Sequence, residues 1–292
     1  MEKTTQRAPR IDGHTLLAGV IGWPVAHSRS PLMHNFWLRK CAINGAYVPL
    51  PVRPGQFETA VRGLQAAGFR GVNVTIPHKE SAYRIVDRLD RSAERSGSVN
   101  TLVFTDEGRI EGYSTDGDGF VANVEAHGIP VHGGRALLLG AGGAARAIAA
   151  SLQDRGVSVI VANRTRARAE TLAASLAGVT VVDWAHAGAA LPECTLLVNT
   201  TSIGMEGAAD GAFPMDLARA DRALVVCDIV YVPRQTALLR QAAACGLRHV
   251  DGLGMLIHQA GLGFHKWFGV TPEIGPDVEA LLDADLHASR TG

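Results

Sequence analysis

A glycine-rich turn, an arginine cluster and two hydroxyl-bearing loops are the parts of this chain whose residue types and spacing could do chemistry. Gly140, Gly142 and Ala145 follow the apolar run 136–139 with the spacing G-x-G-x-x-A. In such a unit the first glycine allows a sharp turn out of a strand, and the second lets a pyrophosphate reach the main chain. The small third residue lets helix and sheet pack closely. Free amides at the start of the following helix then face the phosphates. With 33 glycines in 292 residues a chance triplet is easily met. What separates this one is its place between a strand pattern and a helix of small apolar residues at 146–153.

The second strand of the unit, 157–162, ends at Asn163, Arg164 and Thr165, with Arg166 and Arg168 next. An NAD site places an acidic side chain there for the ribose 2′-hydroxyl. A carboxylate would repel a 2′-phosphate, whereas a guanidinium clamps it through charge-assisted hydrogen bonds. NADP is therefore expected over NAD, with Arg166 reading better as a solvated helix start. Earlier in the chain, Ser28 and Ser30 lie one residue apart after a strand and suit a polyol or carboxylate ligand. Ser30 before Pro31 also reads as a capping hydroxyl at a helix start. Thr75 and Lys79 flank Pro77 at the carboxyl end of a β-rich run, where open α/β sheets collect ligands.

The elements that must position these groups alternate. Strands at 16–21, 46–51 and 71–77 are separated by helices at 32–41 and 57–67, which implies a parallel sheet. A helix at 80–89 follows, then an antiparallel pair, 98–104 with 110–113, about a turn at 106–108. The segment from Gly117 holds the glycine-rich unit, strands at 180–182, 196–199, 223–227 and 248–250, and a helix at 235–245. A helix at 255–267 carries Gln259, and an amphipathic helix at 277–288 ends the chain. The expected fold is α/β with two domains. Residues 1–116 plus 252–292 form a discontinuous substrate-binding and catalytic domain with a mixed, mainly parallel sheet, and residues 117–251 form a Rossmann NADP-binding domain. Closure about hinges near Gly117 and Gly252 is expected, and residues 1–14 read as a flexible leader.

Bulk properties narrow the function classes. Formal net charge is zero, with 28 basic and 28 acidic residues, so no field attracts nucleic acid or an anionic membrane. No apolar run approaches the roughly 20 residues that span a bilayer. The polar start lacks the apolar core of a signal peptide, and a cytoplasmic protein is expected. Cys41, Cys194, Cys227 and Cys245 form no C-x-x-C pair, and the eleven histidines show no ligand spacing, so neither disulfides nor a metal are expected.

Taken together these motifs resemble the shikimate dehydrogenase family over nearly the whole chain from Val20 to Gly269. The resemblance is carried by Ser28-Arg29-Ser30-Pro31, Asn73-Val74-Thr75-Ile76-Pro77-His78-Lys79, Val99-Asn100-Thr101 and Ser114-Thr115-Asp116-Gly117. It continues in the glycine-rich turn, Asn163-Arg164-Thr165 and Asp251-Gly252-Leu253-Gly254-Met255. It implies reversible hydride transfer between NADP and a cyclic hydroxy acid, 3-dehydroshikimate being reduced to shikimate on the way to aromatic amino acids. Carried over by position, Ser28, Ser30, Thr75, Lys79, Asn100, Asp116, Tyr231 and Gln259 would bind substrate, with Lys79 and Asp116 as the catalytic pair. Gly140, Ala141, Gly142, Gly143 and Ala144 would hold the pyrophosphate, and Asn163, Arg164, Thr165 and Arg168 the adenosine end. Ile229 and Gly252 would line the nicotinamide region. The enzyme would work as a monomer or homodimer.

Reducing a ketone builds negative charge on its oxygen, and a fixed ammonium stabilises that charge while supplying or relaying the proton. An ordinary lysine is a poor base at neutral pH, so Lys79 is expected to act mainly through electrostatics. Three residues depart from the family's usual pattern: His78 in place of an apolar or aromatic residue, Arg91 in place of an acidic one, and Ser114 in place of asparagine. They leave open a broader quinate and shikimate dehydrogenase that uses NAD or NADP in catabolism. A noncatalytic NADP-binding sensor is the rival from another class, and its expected mark, loss of Lys79 or Asp116, is absent.

Overall fold

Two six-stranded sheets stand side by side in the computed structural model, which describes residues 11–207, 213 and 215–291. The first sheet contains β1 (Leu16–Gly22), β2 (Gly45–Pro51), β3 (Gly71–Val74), β4 (Arg88–Leu89), β5 (Thr101–Phe104) and β6 (Ile110–Tyr113), in the order β2-β1-β3-β5-β6-β4. Its β1 pairs are parallel and β5 pairs antiparallel with β3 and β6, so the sheet is mixed. Four helices interleave it: α1 (Ser30–Lys40), α2 (Phe57–Ala66), α3 (Lys79–Ile85) and α4 (Arg91–Ser96).

After α5 (Asp116–Ala126) come β7 (Arg135–Leu139), α6 (Gly143–Asp154), β8 (Ser158–Asn163), α7 (Arg166–Ser175), β9 (Thr180–Asp183) and β10 (Leu196–Asn199). Next are β11 (Val225–Asp228), α8 (Ala237–Ala244) and β12 (Arg248–Val250). These strands form an all-parallel sheet in the order β12-β11-β10-β7-β8-β9. Ala136, Leu137, Leu138 and Leu139 are all fully buried, because β7 is central and covered on both faces. Finally α9 (Leu253–Phe268) and α10 (Pro276–Thr291) return to the first sheet. There Leu253, Ile257, Phe264, Val278 and Leu282 join Met33 and Trp37 of α1 in one core cluster.

Several local features differ from the sequence reading. The stretch expected as one helix at 80–89 is broken: α3 stops at Ile85, β4 pairs parallel with β6, and a new helix, α4, follows. Asp90 caps α4 by accepting the Ala93 amide at 2.9 Å. Strand β3 stops at Val74, and Thr75 to Pro77 form the loop that leads into α3. Ser30 is not the cap of α1. Arg29 occupies that position, no side chain caps the helix, and Ser30 lines the cleft with its side chain hydrogen-bonded to Tyr47. Of the expected leader, residues 1–10 lie outside the described residues. Asp12 ties the next segment down by accepting the His14 amide at 2.9 Å and Asn44 Nδ2 at 2.8 Å.

The two sheets are joined most closely where α5 packs on α9. At Gly119 a Cβ would lie 2.6 Å from Gln259 Cβ and 2.7 Å from Gln259 N, so the helices touch backbone to backbone. The expected hinge glycines are also close-approach positions. A Cβ would meet the Ala147 carbonyl oxygen at 2.3 Å from Gly117 and the Ile229 carbonyl oxygen at 2.2 Å from Gly252. Substituting Gly119 by Ala is expected to destabilise the fold by about 1–3 kcal/mol, the usual range for overpacking. Chemical denaturation of the two proteins checks this, and equal midpoints would contradict the close packing.

Candidate active site

Between the carboxyl ends of the first sheet's strands and the loop after β11 lies a cleft of about 210 Å³. All eight substrate residues expected from the resemblance line it, together with Ile229 and Gly252. They converge from six places. Ser28 and Ser30 come from the β1–α1 connection and the first residue of α1, Thr75 and Lys79 from the β3–α3 connection and the first residue of α3, Asn100 from the residue before β5, and Asp116 from the start of α5. Tyr231 follows β11, and Gln259 sits on α9.

Charge and hydrogen bonding are closely matched here. Lys79 Nζ lies 2.5 Å from Asp116 Oδ2, with both side chains largely buried. Asp116 opens α5, so the helix dipole favours its negative charge. Asn100 is the hub. Its Nδ2 donates to Asp116 Oδ1 at 2.8 Å and Thr115 Oγ1 at 2.9 Å, and its Oδ1 accepts the Thr115 amide at 2.9 Å. Gln259 Oε1 accepts weakly from Asn100 Nδ2 and Thr115 Oγ1, both at 3.4 Å, while its Nε2 donates to the Leu256 carbonyl. One carboxylate oxygen of Asp116 is thus fixed by an amide and the other by an ammonium. That leaves the lysine aimed into the cleft, where it can stabilise charge on a reacting oxygen.

A second tier of residues was missed by sequence reasoning. Asn73, in β3, lines the cleft and donates to the Asn100 carbonyl at 3.2 Å and Thr101 Oγ1 at 3.1 Å. Tyr47 donates its hydroxyl to Asn73 Oδ1 at 2.6 Å. Behind Tyr47 the ring of His34 stacks at 4.0 Å, and burial pushes that imidazole down to about 3, so it packs as a neutral ring. An asparagine inside an apolar, fully buried strand was the available signal, since such a group must be hydrogen-bonded.

The cofactor-side residues divide into two groups. Gly140 adopts φ +111°, and a Cβ there would meet Thr200 Oγ1 at 2.5 Å, so the turn requires glycine. Gly142 caps α6 with open space around it, no side chain caps that helix, and its first turn holds no acidic residue. These are the features of a phosphate cradle. At Gly143 a Cβ would lie 3.2 Å from Ser98 Oγ and 3.7 Å from Lys79 Cδ, so this turn abuts the lysine. Ala141 is buried and Ala144 half-buried beside it. By contrast Asn163, Arg164, Thr165 and Arg168 lie outside the cleft, at the end of β8. Asn163 Nδ2 donates to the Thr165 carbonyl at 2.8 Å. Arg166 pairs with Glu170 at 2.8 Å and with Asp183, as a structural arginine. Among the described residues no carboxylate pairs with Arg164 or Arg168, and both are exposed.

The three departures lie away from the cleft lining. His78 is buried, stacked on Phe57 at 4.9 Å, with Nε2 2.7 Å from the Val52 carbonyl. Arg91 is exposed and pairs with Asp154 of α6 at 3.2 Å. The buried Ser114 hydroxyl has no hydrogen-bond partner, while its backbone exchanges hydrogen bonds with Ser92 Oγ.

Comparison with known proteins gives a consistent picture. Residues 20–102 match the shikimate dehydrogenase substrate binding domain, and residues 124–254 match the shikimate / quinate 5-dehydrogenase family. The chain is 56% identical over 277 residues to the shikimate dehydrogenase (NADP(+)) of Gluconobacter oxydans, covering 95% of this chain and 99% of that one. Among solved structures, shikimate 5-dehydrogenase from Thermus thermophilus in complex with NADP(H) and shikimate superposes with a TM-score of 0.83. It is 38% identical, over 92% of this chain and 100% of that one. Quinate dehydrogenase from Corynebacterium glutamicum in complex with NAD superposes with a TM-score of 0.82 at 29% identity, over 94% and 99% of the two chains.

Behind Ile229 sits a buried acid with a readable titration. Asp228 accepts hydrogen bonds from Asn199 Nδ2, the Val230 amide and Thr236 Oγ1, yet burial outweighs them and pushes its carboxyl up from 3.8 to about 6. The folded protein therefore binds this proton more tightly than the unfolded chain. The stability so gained is full below pH 3.8 and is lost as pH rises to about 6. Asp228→Asn is expected to remove that downward slope, as read from unfolding free energies of the two proteins at intervals across the window. An unchanged slope would contradict it.

Proposed function

This chain belongs to the shikimate dehydrogenase family, and on that premise we propose that the cleft carries out the NADP-dependent, reversible reduction of 3-dehydroshikimate to shikimate. The observation that carries the reading is the Lys79–Asp116 pair at 2.5 Å inside a cleft lined with hydroxyls and amides, with the glycine-rich turn packed against the lysine. Bound at that turn, NADPH supplies the hydride. The protein supplies the rest. Ser28, Ser30 and Thr75 offer hydroxyls to the carboxylate and ring hydroxyls, and Asn100 and Gln259 offer amides. Lys79 holds a proton at the ketone oxygen and stabilises the charge that develops there. Asp116, held by Asn100, orients that ammonium. Tyr231, Ile229 and Gly252 close the side that faces the nicotinamide.

Open space at Gly142 and the uncapped start of α6 fit the pyrophosphate, and Arg164 and Arg168 fit a 2′-phosphate because no carboxylate among the described residues engages them. Residues 1–116 plus 252–292 are assigned to substrate binding and 117–251 to the cofactor. The core clusters support placing α5 with the second sheet, where Phe120, Val121 and Val124 pack, with Met255 of α9 reaching across to join them. No helix among the described residues is long and apolar enough to cross a membrane. All four cysteines are free thiols, which suits a reducing cytoplasm. A small cyclic hydroxy acid is the partner this cleft fits, acting on a monomer or homodimer. Neutral net charge argues against nucleic acid.

A panel of kcat/KM values tests the assignment. Shikimate with NADP+ is expected to exceed quinate, and NADP+ to exceed NAD+; quinate or NAD+ preferred instead would favour the broader dehydrogenase. Lys79→Ala is expected to lower kcat by about 10² to 10⁴ with a smaller change in KM, and an unchanged kcat would overturn its role.

Arg164→Ala and Arg168→Ala should each raise KM for NADP+ by about 10- to 100-fold, as loss of a charged hydrogen bond implies. KM for NAD+ should hold steady. Equal weakening of both cofactors would point to a folding defect rather than to a lost phosphate contact.

A further inference from the structure

Two arginines, on segments that form neighbouring lips of the cleft, reach the same helix. Arg29, between Ser28 and Ser30, donates from Nη1 to the His27 carbonyl at 2.8 Å, and its Nε lies 2.6 Å from Asp285 Oδ2 on α10. Arg234 belongs to the loop after β11 that carries Ile229 and Tyr231. Its Nε and Nη2 lie 2.8 and 2.7 Å from Asp251 Oδ2, while Nη1 reaches both oxygens of Asp283 on α10, at 3.0 and 2.7 Å. The charge of Arg29 also acts on the Tyr231 hydroxyl, pulling down a titration that burial pushes up, so the two lips are neighbours. The base of this arrangement is fixed, because Val278 and Leu282 of α10 are fully buried in the core beneath α1 and α9.

We propose that α10 is a positioning element of the substrate site. Asp285 and Asp283, acting through Arg29 and Arg234, set the separation of the Ser28–Ser30 segment and the Tyr231 loop, both of which line the cleft. Neither aspartate lines the cleft, so both work through another residue. A single half-exposed ion pair contributes little energy. A guanidinium held between two carboxylates is different, since it fixes direction as well as distance. Arg234 spans from the second sheet's loop to a helix packed on the first sheet, so it restrains how far the cleft opens. The inference rests on reading this cleft as the substrate site.

Steady-state kinetics of Asp283→Asn and Asp285→Asn test it, with Asp277→Asn as the comparison. Asp277 lies on the same helix but pairs with Lys40, away from the cleft. Each of the first two variants is expected to raise KM for the acid substrate by about three- to tenfold, with kcat within about twofold and KM for NADP+ unchanged, the pattern of lost uniform binding. Asp277→Asn should keep wild-type KM even if its melting temperature falls equally. If all three variants share one KM, or if the first two lose kcat and stability while KM holds, α10 is structural only and the proposal is overturned. KM is read for whichever cyclic hydroxy acid the wild type turns over best, so failure of the shikimate assignment leaves this comparison standing.

Discussion

The close contact of α5 with α9 is the constraint on which the rest of the molecule depends. Asp116 begins one of these helices and Gln259 sits in the middle of the other, at the point where Gly119 allows the backbones to touch. One packing contact therefore joins the two sheets and also sets two walls of the cleft. Close packing in a protein interior transmits small displacements rather than absorbing them. The geometry of the lysine–aspartate pair is tied in this way to the whole inter-sheet arrangement.

Around that contact the polar groups form a chain in which each member has a partner. Tyr47 holds Asn73, Asn73 reaches the backbone of Asn100, and Asn100 holds Asp116, which holds Lys79. Buried networks of this kind are favourable only when fully satisfied, and they then rigidify the groups they contain. Ser30, at the start of α1, joins this network through Tyr47, while Arg29 beside it pairs with Asp285. The Lys79–Asp116 side of the cleft is thus held by a continuous hydrogen-bonded network.

Most of the fold was legible because its signals are local. The apolar run of β7, the glycine spacing after it and the strand–helix alternation all follow from backbone access and burial on two faces. The site was legible only in part. Hydroxyls at strand ends pointed to ligand binding, but the pairing of Lys79 with Asp116 joins residues from separate elements and came from family resemblance. Asn73 and Tyr47 were missed because their roles depend on strands β2 and β3 both flanking β1. The break of the 80–89 stretch was missed because Asp90 acts as a cap only once β4 pairs with β6. Ser30 was half misread: its proline neighbour does mark a helix start, but Ser30 is the first helical residue rather than the cap, and its side chain bonds Tyr47.

The approach of Gly143 to Lys79 has a consequence for how such a chain can diverge. The glycine opens α6 beside the second sheet and the lysine opens α3 beside the first, and a Cβ on the glycine would lie 3.7 Å from the lysine's Cδ. Residues 163–168, at the end of β8 and the start of α7, which we assign to the adenosine end, stand free of the cleft lining. Position 143 has no such freedom. A Cβ there would crowd Ser98 Oγ by a few tenths of an ångström and touch the lysine stem, so a larger side chain at 143 would be felt at Lys79 as well.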